Sequence, residues 1–150
     1  MISKIEEWVL SEVQRISIVE QPFLEVARRL DMKEDEIIEI TKNLLDKHFI
    51  RRFSASLSHR RLGIGANAMV VLNCPEKRID EVGNKIASFS DVTHCYFRTG
   101  WDYNIFFMVH GYSRIESTGK AKKIIDTVGI DDYKILFSEK ELKKTSLSVL

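Results

Sequence analysis

Little in this chain of 150 residues would build a disulfide scaffold, a membrane span or a polyelectrolyte. It has two cysteines, Cys74 and Cys95, too few for a disulfide framework or a four-cysteine zinc site. It has two prolines, Pro22 and Pro75, and each stands where a helix can begin. No low-complexity linker separates its segments. No apolar run reaches the ~18 residues that a membrane-spanning helix needs. The first residues, Met1 to Glu7, lack the basic and apolar regions of a secretory leader, so a cytoplasmic location is expected. The formal net charge is only +1, which makes no case for non-specific nucleic-acid binding.

What charge there is divides unevenly. Residues 1–48 hold seven Lys/Arg against eleven Asp/Glu, and residues 49–150 hold sixteen against eleven. The acidic part is patterned as three helices. Residues 3–15 carry Ile5, Trp8, Val9 and Val13 at helical spacing, with Ser3 and Glu6 placed for a capping box. Pro22 opens a second helix ending near Leu30. A third runs from Glu34 to Lys47 with Ile37, Ile38, Thr41 and Leu44 on its stripe. A short turn between the second and third makes this a helix-turn-helix. The alternation over Phe49–Leu57, and the return over Ser58–Gly65, predict a small wing.

From Ala66 the period changes. Strands are expected over Ala66–Cys74, Val92–Arg98, Tyr103–His110 and Asp132–Ser138. Helices are expected over Pro75–Phe89 and Tyr112–Val128. The order βαββαβ is ferredoxin-like. The fold class is therefore α+β: a winged helix-turn-helix domain over 1–63 and a ferredoxin-like domain over 64–150.

That architecture is shared with the Lrp/AsnC transcription regulators, so a DNA-binding regulator sensing a small ligand is one reading. A recognition helix must approach phosphates, yet the third helix begins Glu34-Asp35-Glu36. No DNA binding is expected.

Strand parity points instead to a ligand. His94, Tyr96 and Arg98 share one face of their strand, and Asn104, Phe106, Met108 and His110 share one face of the next. Thr93, Cys95 and Phe97, with Ile105, Phe107 and Val109, should lie under the helices. Asn67 and Met69 can join the open set. Trp101 and Tyr103 flank the hairpin turn. A hairpin around residues 99–102 brings His94 near Met108 or His110. The arginines of the wing, Arg51, Arg52, Arg60 and Arg61, with His59, could clamp carboxylates.

Five blocks in order carry a family resemblance: Arg51-Arg52-Phe53, Ser58 to Gly63, Ala66-Asn67-Ala68-Met69-Val70, Val92 to Arg98, and Trp101 to Gly111. The stretch Ser138 to Ser146 adds to it. Together they resemble the siroheme decarboxylase family, which includes the AhbA/AhbB pair. Asp102 departs from the Pro that many members carry. The resemblance implies removal of two acetate carboxyl groups from siroheme, giving didecarboxysiroheme. It also implies an iron tetrapyrrole substrate, and a partner that is a related paralogous subunit or a second copy; the alternative within the family is a non-catalytic subunit whose paralogue supplies the active residues. No cofactor beyond the substrate's own iron is expected, and no membrane.

The residues offer matching chemistry. Histidine exchanges protons near neutrality and can bind iron. His94 and His110 are the expected catalytic pair, with His94 as the acid and His110 as the iron ligand. Gly111 is expected to let the macrocycle approach. Arg52, His59, Arg60, Asn67, Tyr96, Arg98, Trp101, Tyr103, Asn104 and Met108 are the expected substrate contacts.

Overall fold

The computed structural model describes residues 2–143, leaving aside the side chain of Arg60. Lys144, Thr145 and Ser146 of the C-terminal block lie outside the described residues. Two compact units are present, one holding the chain through Ser56 and the other spanning Leu57–Leu142.

The first unit contains α1 (Lys4–Val13), α2 (Pro22–Leu30) and α3 (Glu34–Asp46). The expected capping box starts α1: Ser3 Oγ accepts from Glu6 N–H at 3.2 Å, and Glu6 accepts from Ser3 N–H at 2.7 Å. That backbone bond, helped by Lys47 at 2.9 Å, holds the Glu6 carboxyl at about 2. Pro22 occupies the first turn of α2, and Asp31 ends it in the left-handed region at φ 53°. Val9, Val13, Val26, Ala27 and Ile37 form the core of the three helices. The wing strand expected over Phe49–Leu57 does not form. Residues 51–58 have no regular secondary structure, and the predicted return is a 3-10 turn over His59–Leu62. Alternation over a short polar-rich stretch does not make a strand when no partner strand pairs with it.

The second unit contains β1 (Ala66–Leu72), α4 (Ile79–Ala87), β2 (Val92–Phe97), β3 (Ile105–Gly111), α5 (Arg114–Val128) and β4 (Tyr133–Phe137). The strands form one antiparallel sheet in the order β2-β3-β1-β4. The unit starts at Leu57, ahead of the 63/64 boundary expected from the sequence, because the 3-10 turn is tied to β1 through His59 and Asn67. One sheet face buries Val70, Leu72, Ile105, Phe107 and Val109 in a common core with Val82 and Ile86 of α4 and Ala121, Ile124, Ile125 and Val128 of α5. Gly111 belongs to this covered side, and its role differs from the one expected. A Cβ there would stand 2.6 Å from Ser117 Oγ, so the missing side chain lets α5 close on β3. No helix among the described residues is long and apolar enough to cross a membrane.

Candidate functional site

The other face of the sheet carries no helix of this unit, and the pairing register lays its side chains out in rows. His94, Met108, Met69 and Leu136 stand opposite one another across β2, β3, β1 and β4. Tyr96, Phe106, Val71 and Lys134 form the next row. His110 and Asn67 pair on the side of the first row away from Tyr96. The spacing of strands and of alternate residues makes this a patch roughly 14 Å on a side. Its middle is apolar, and the exposure is substantial: Met69 is 37% exposed, Leu136 43% and Tyr96 51%.

Strict alternation fails at one point. Val92 pairs with Val109 but His94 pairs with Met108, so Thr93 is an extra residue in a β-bulge. Thr93 was expected under the helices; its hydroxyl instead joins the open-face histidines. Thr93 Oγ1 lies 2.8 Å from His110 Nε2 and 3.1 Å from His94 Nδ1. His110 Nδ1 lies 2.7 Å from Asn67 Oδ1, and Asn67 Nδ2 lies 3.0 Å from His59 Nε2. Three of the four histidines in the chain are thus joined through one hydroxyl and one amide. His94 and Thr93 are exposed, while His110, Asn67 and His59 are half-buried.

The opposite end is aromatic and cationic. The Arg98 guanidinium lies 5.0 Å from the Phe106 ring centroid and 5.5 Å from that of Tyr96. Lys134 Nζ lies 4.8 Å from the Tyr103 ring and 6.0 Å from that of Trp101. Trp101 packs on Tyr103 at 4.8 Å and on Phe106 at 6.1 Å. Rings that support cations in this way leave the N–H groups at their edges free to meet anions.

Not every expected contact is available to a ligand. The Asn104 amide is used on the backbone: its oxygen accepts from Cys74 N–H at 2.9 Å, and its nitrogen donates to Cys74 O at 2.7 Å. It fastens the end of β1 rather than facing the patch. The Tyr103 hydroxyl donates to Asp132 at 2.9 Å. That bond raises the phenol above its ordinary value. Asp132 is held below its own by Asn73 and Tyr103. Both ring nitrogens of His110, the expected iron ligand, lie within hydrogen-bond distance of Asn67 and Thr93. Arg52 belongs to the first unit, and the side chain of Arg60 lies outside the described residues. His59, Asn67, His94, Tyr96, Arg98, Trp101 and Met108 stand with the patch. Thr93, Lys134 and Leu136 were missed. Alternation along the last strand could have placed Lys134 and Leu136; nothing in the sequence marks the bulge that turns Thr93. Burial pushes both thiols, Cys74 and Cys95, upward, which keeps them out of nucleophilic work.

Comparison with known proteins agrees with both units. Residues 6–51 match the siroheme decarboxylase NirDL-like HTH domain, and residues 61–143 match the AsnC-like ligand binding domain. The siroheme decarboxylase beta subunit of Methanosarcina barkeri is 45% identical over 135 residues, covering 88% of this chain and 89% of its own. The siroheme decarboxylase of Hydrogenobacter thermophilus is 44% identical over 133 residues, but this chain spans only 40% of its length. Among solved structures, Escherichia coli AsnC superposes with a TM-score of 0.81 over 99% of both chains, at 18% identity, a likeness of fold alone. The siroheme decarboxylase NirDL superposes with a TM-score of 0.67 at 37% identity, over 99% of this chain and 47% of that one. NirDL has also been solved in co-complex with an iron-uroporphyrin III analogue. The two domain matches and the identity to the Methanosarcina subunit, sustained over nearly the full length of both chains, place this chain in the siroheme decarboxylase family.

Proposed function

We propose that this chain is a subunit of a siroheme decarboxylase and holds its substrate against the open sheet face. One observation carries the reading. A linked set of histidines and a pair of ring-supported cations lie on the same face, separated by an apolar floor. A flat macrocycle with carboxylates around its rim fits that order. Met69, Met108, Leu136 and Phe106 offer dispersion and thioether contacts to the ring plane. Arg98 and Lys134 meet carboxylates that stay on the substrate.

Loss of carbon dioxide breaks a carbon–carbon bond and leaves its electron pair on the methylene, where the conjugated ring delocalises it. A proton must then reach that carbon. His94, exposed at the end of its row, delivers it from Nε2. His110, with both nitrogens committed, serves as the internal partner of His94 and not as an iron ligand. The chemistry needs no cofactor beyond the iron that the substrate brings. The exposed patch is completed by a related subunit or a second copy.

The test is to mix the chain, with its genomic partner, with siroheme under anaerobic conditions. A shifted absorbance spectrum and release of didecarboxysiroheme are expected. An unchanged spectrum and no product from the assembled complex would overturn the reading.

Sequence-specific DNA binding forms no part of the proposal. Arg29 is paired with Glu12 at 2.6 Å and Arg28 with Glu25 at 2.7 Å. At the start of α3, Glu36 caps Lys33 N–H at 2.9 Å beside Glu34 and Asp35. These carboxylates oppose a phosphate backbone. A fluorescence titration at low salt against DNA upstream of the chain's own gene should show no saturable binding; tight, salt-steep binding would reinstate a regulator.

A further inference from the structure

While His110 is neutral, the hydrogen-bonded histidines admit a single direction of donation. An amide nitrogen only donates, so Asn67 Nδ2 gives its proton to His59 Nε2 at 3.0 Å. An amide oxygen only accepts, so the 2.7 Å contact requires a proton on His110 Nδ1. A neutral His110 then has a lone pair on Nε2, which accepts the Thr93 hydroxyl at 2.8 Å. A hydroxyl has one proton. Having spent it on His110, Thr93 can only accept from His94 Nδ1 at 3.1 Å. His94 is thereby held with its proton on Nδ1 and a bare Nε2 toward the open face.

A proton added at His110 Nε2 reverses the chain. With His110 protonated on both nitrogens, its Nε2–H donates to Thr93, the hydroxyl turns to donate to His94 Nδ1, and His94 carries its proton on Nε2. The outward nitrogen therefore bears a proton only when the network holds one in excess. In the reversed arrangement the charge sits on half-buried His110 against the Asn67 oxygen.

We infer that Thr93 is a positioning residue for the decarboxylation, a hydroxyl that passes the proton from His110 to His94 as His94 gives its own to the substrate. The inference rests on the reading of the open face as the siroheme site. The step balances. The His94 Nε2–H bond breaks as the bond from hydrogen to the methylene carbon forms. The Thr93 proton moves to His94 Nδ1, and the His110 Nε2 proton moves to Thr93 Oγ1. The carbanion becomes a methyl group, His110 ends neutral, and the Nδ1–H form of His94 is restored until solvent supplies another proton. The bulge makes this possible. Without the bulge between Val92 and His94, regular alternation would turn Thr93 to the helix side and leave the two rings unbridged.

The experiment uses Thr93→Val and Thr93→Ser in the assembled complex. Valine keeps the shape and the strand preference of threonine and lacks its hydroxyl. Thr93→Val should leave the spectrum and affinity of bound siroheme unchanged. It should slow single-turnover decarboxylation by roughly 10- to 100-fold, a part of the 10²–10⁴-fold that general acid help supplies. Thr93→Ser should restore most of the rate. A Thr93→Val rate equal to that of the parent, or a Thr93→Ser variant as slow as Thr93→Val, would overturn the inference in favour of a packing role. Nitrogen-15 spectra of the histidine rings give a readout free of activity: neutral His94 should carry its proton on Nδ1 in the parent and lose that bias in Thr93→Val. A parent His94 protonated on Nε2 would also overturn it. A parent complex that fails to decarboxylate siroheme refutes the underlying reading instead, and the nitrogen-15 spectra still decide the relay.

Discussion

The two faces of one four-stranded sheet carry different kinds of side chain. Under α4 and α5, β1 and β3 place Val70, Leu72, Ile105, Phe107 and Val109, all buried and all apolar. On the reverse, the same two strands place Asn67, Met69, Phe106, Met108 and His110. The first set is what an antiparallel sheet needs to fold against helices. The second is more polar, aromatic and exposed than folding requires. With the neighbouring strands, that face carries hydrogen-bonded imidazoles at one end and the exposed cations Arg98 and Lys134 at the other. If the open face holds the proposed site, alternation along a strand keeps stability and chemistry one residue apart, and substitutions on the two faces should separate cleanly into losses of one or the other.

The largest separation is expected at His94. His94→Ala removes an exposed side chain, so unfolding free energy should stay within about 0.5 kcal/mol of the parent. Decarboxylation of bound siroheme should slow by roughly 10²–10⁴-fold. Single-turnover product analysis beside a urea titration reads both. A normal rate would move the acid off this face.

Phe107→Ala should give the converse. Phe107 is fully buried on the covered face, and truncating a buried phenylalanine costs about 3–5 kcal/mol. The urea midpoint should fall sharply with an unchanged slope, and whatever protein stays folded should bind siroheme as the parent does. A binding defect in the folded fraction would show that the faces are coupled through the sheet.

Most of this division could be read from the sequence, and the reason is physical. A period of two is robust wherever one face is buried, because a slip of one residue would expose Phe107 and its neighbours. Strand parity therefore placed His94, Tyr96, Phe106, Met108 and His110 correctly. It failed where the chain departs from regular alternation or where a polar group has a local partner. The bulge at Thr93 has no compositional mark. Asn104 has the parity of a site residue, yet its amide is claimed by the backbone of Cys74, thirty positions away in sequence. Gly111 was legible as a place of close approach, but whether ligand or helix approaches depends on α5, which only the tertiary structure reveals. The wing failed because the residues after Ile50 find no strand to pair with.

A smaller effect tests the cationic end. Arg98→Ala and Lys134→Ala should each weaken siroheme binding by about 1–3 kcal/mol, the range for losing a charge-assisted hydrogen bond, with little change in the rate of the bound substrate. Spectral titration measures the first and single turnover the second. Arg98→Lys should recover only part of the affinity, since a guanidinium supplies the planar fork and the ring stacking that an ammonium lacks. Unchanged affinity in both alanine variants would leave the histidine end without a counterpart, and the patch would no longer have the order that matches the substrate.

The smallest effect lies where the two roles meet. Tyr103 packs on Trp101 beside the open face, but its hydroxyl is bound to Asp132 at 2.9 Å, just ahead of β4. Asp132 also takes the Asn73 amide at 2.9 Å. Tyr103→Phe keeps the ring and removes that one bond, so siroheme binding should be unaffected and thermal stability slightly lowered. The deficit should depend on pH in a definite way. Asp132 is held below its ordinary 3.8 first by Asn73 and then by Tyr103. A depressed carboxyl contributes stability that is present above the ordinary value and lost as pH falls through the folded one. Tyr103 is raised above its ordinary 10.0, chiefly by the same bond. A raised phenol contributes stability that is present below the ordinary value and lost as pH rises through the folded one. The melting temperatures of parent and Tyr103→Phe should therefore differ most between these limits and converge in acid below the Asp132 range and in alkali above that of Tyr103. A gap that stays constant across the whole range would mean that the hydroxyl contributes packing alone, and a loss of siroheme affinity would return Tyr103 to the binding face.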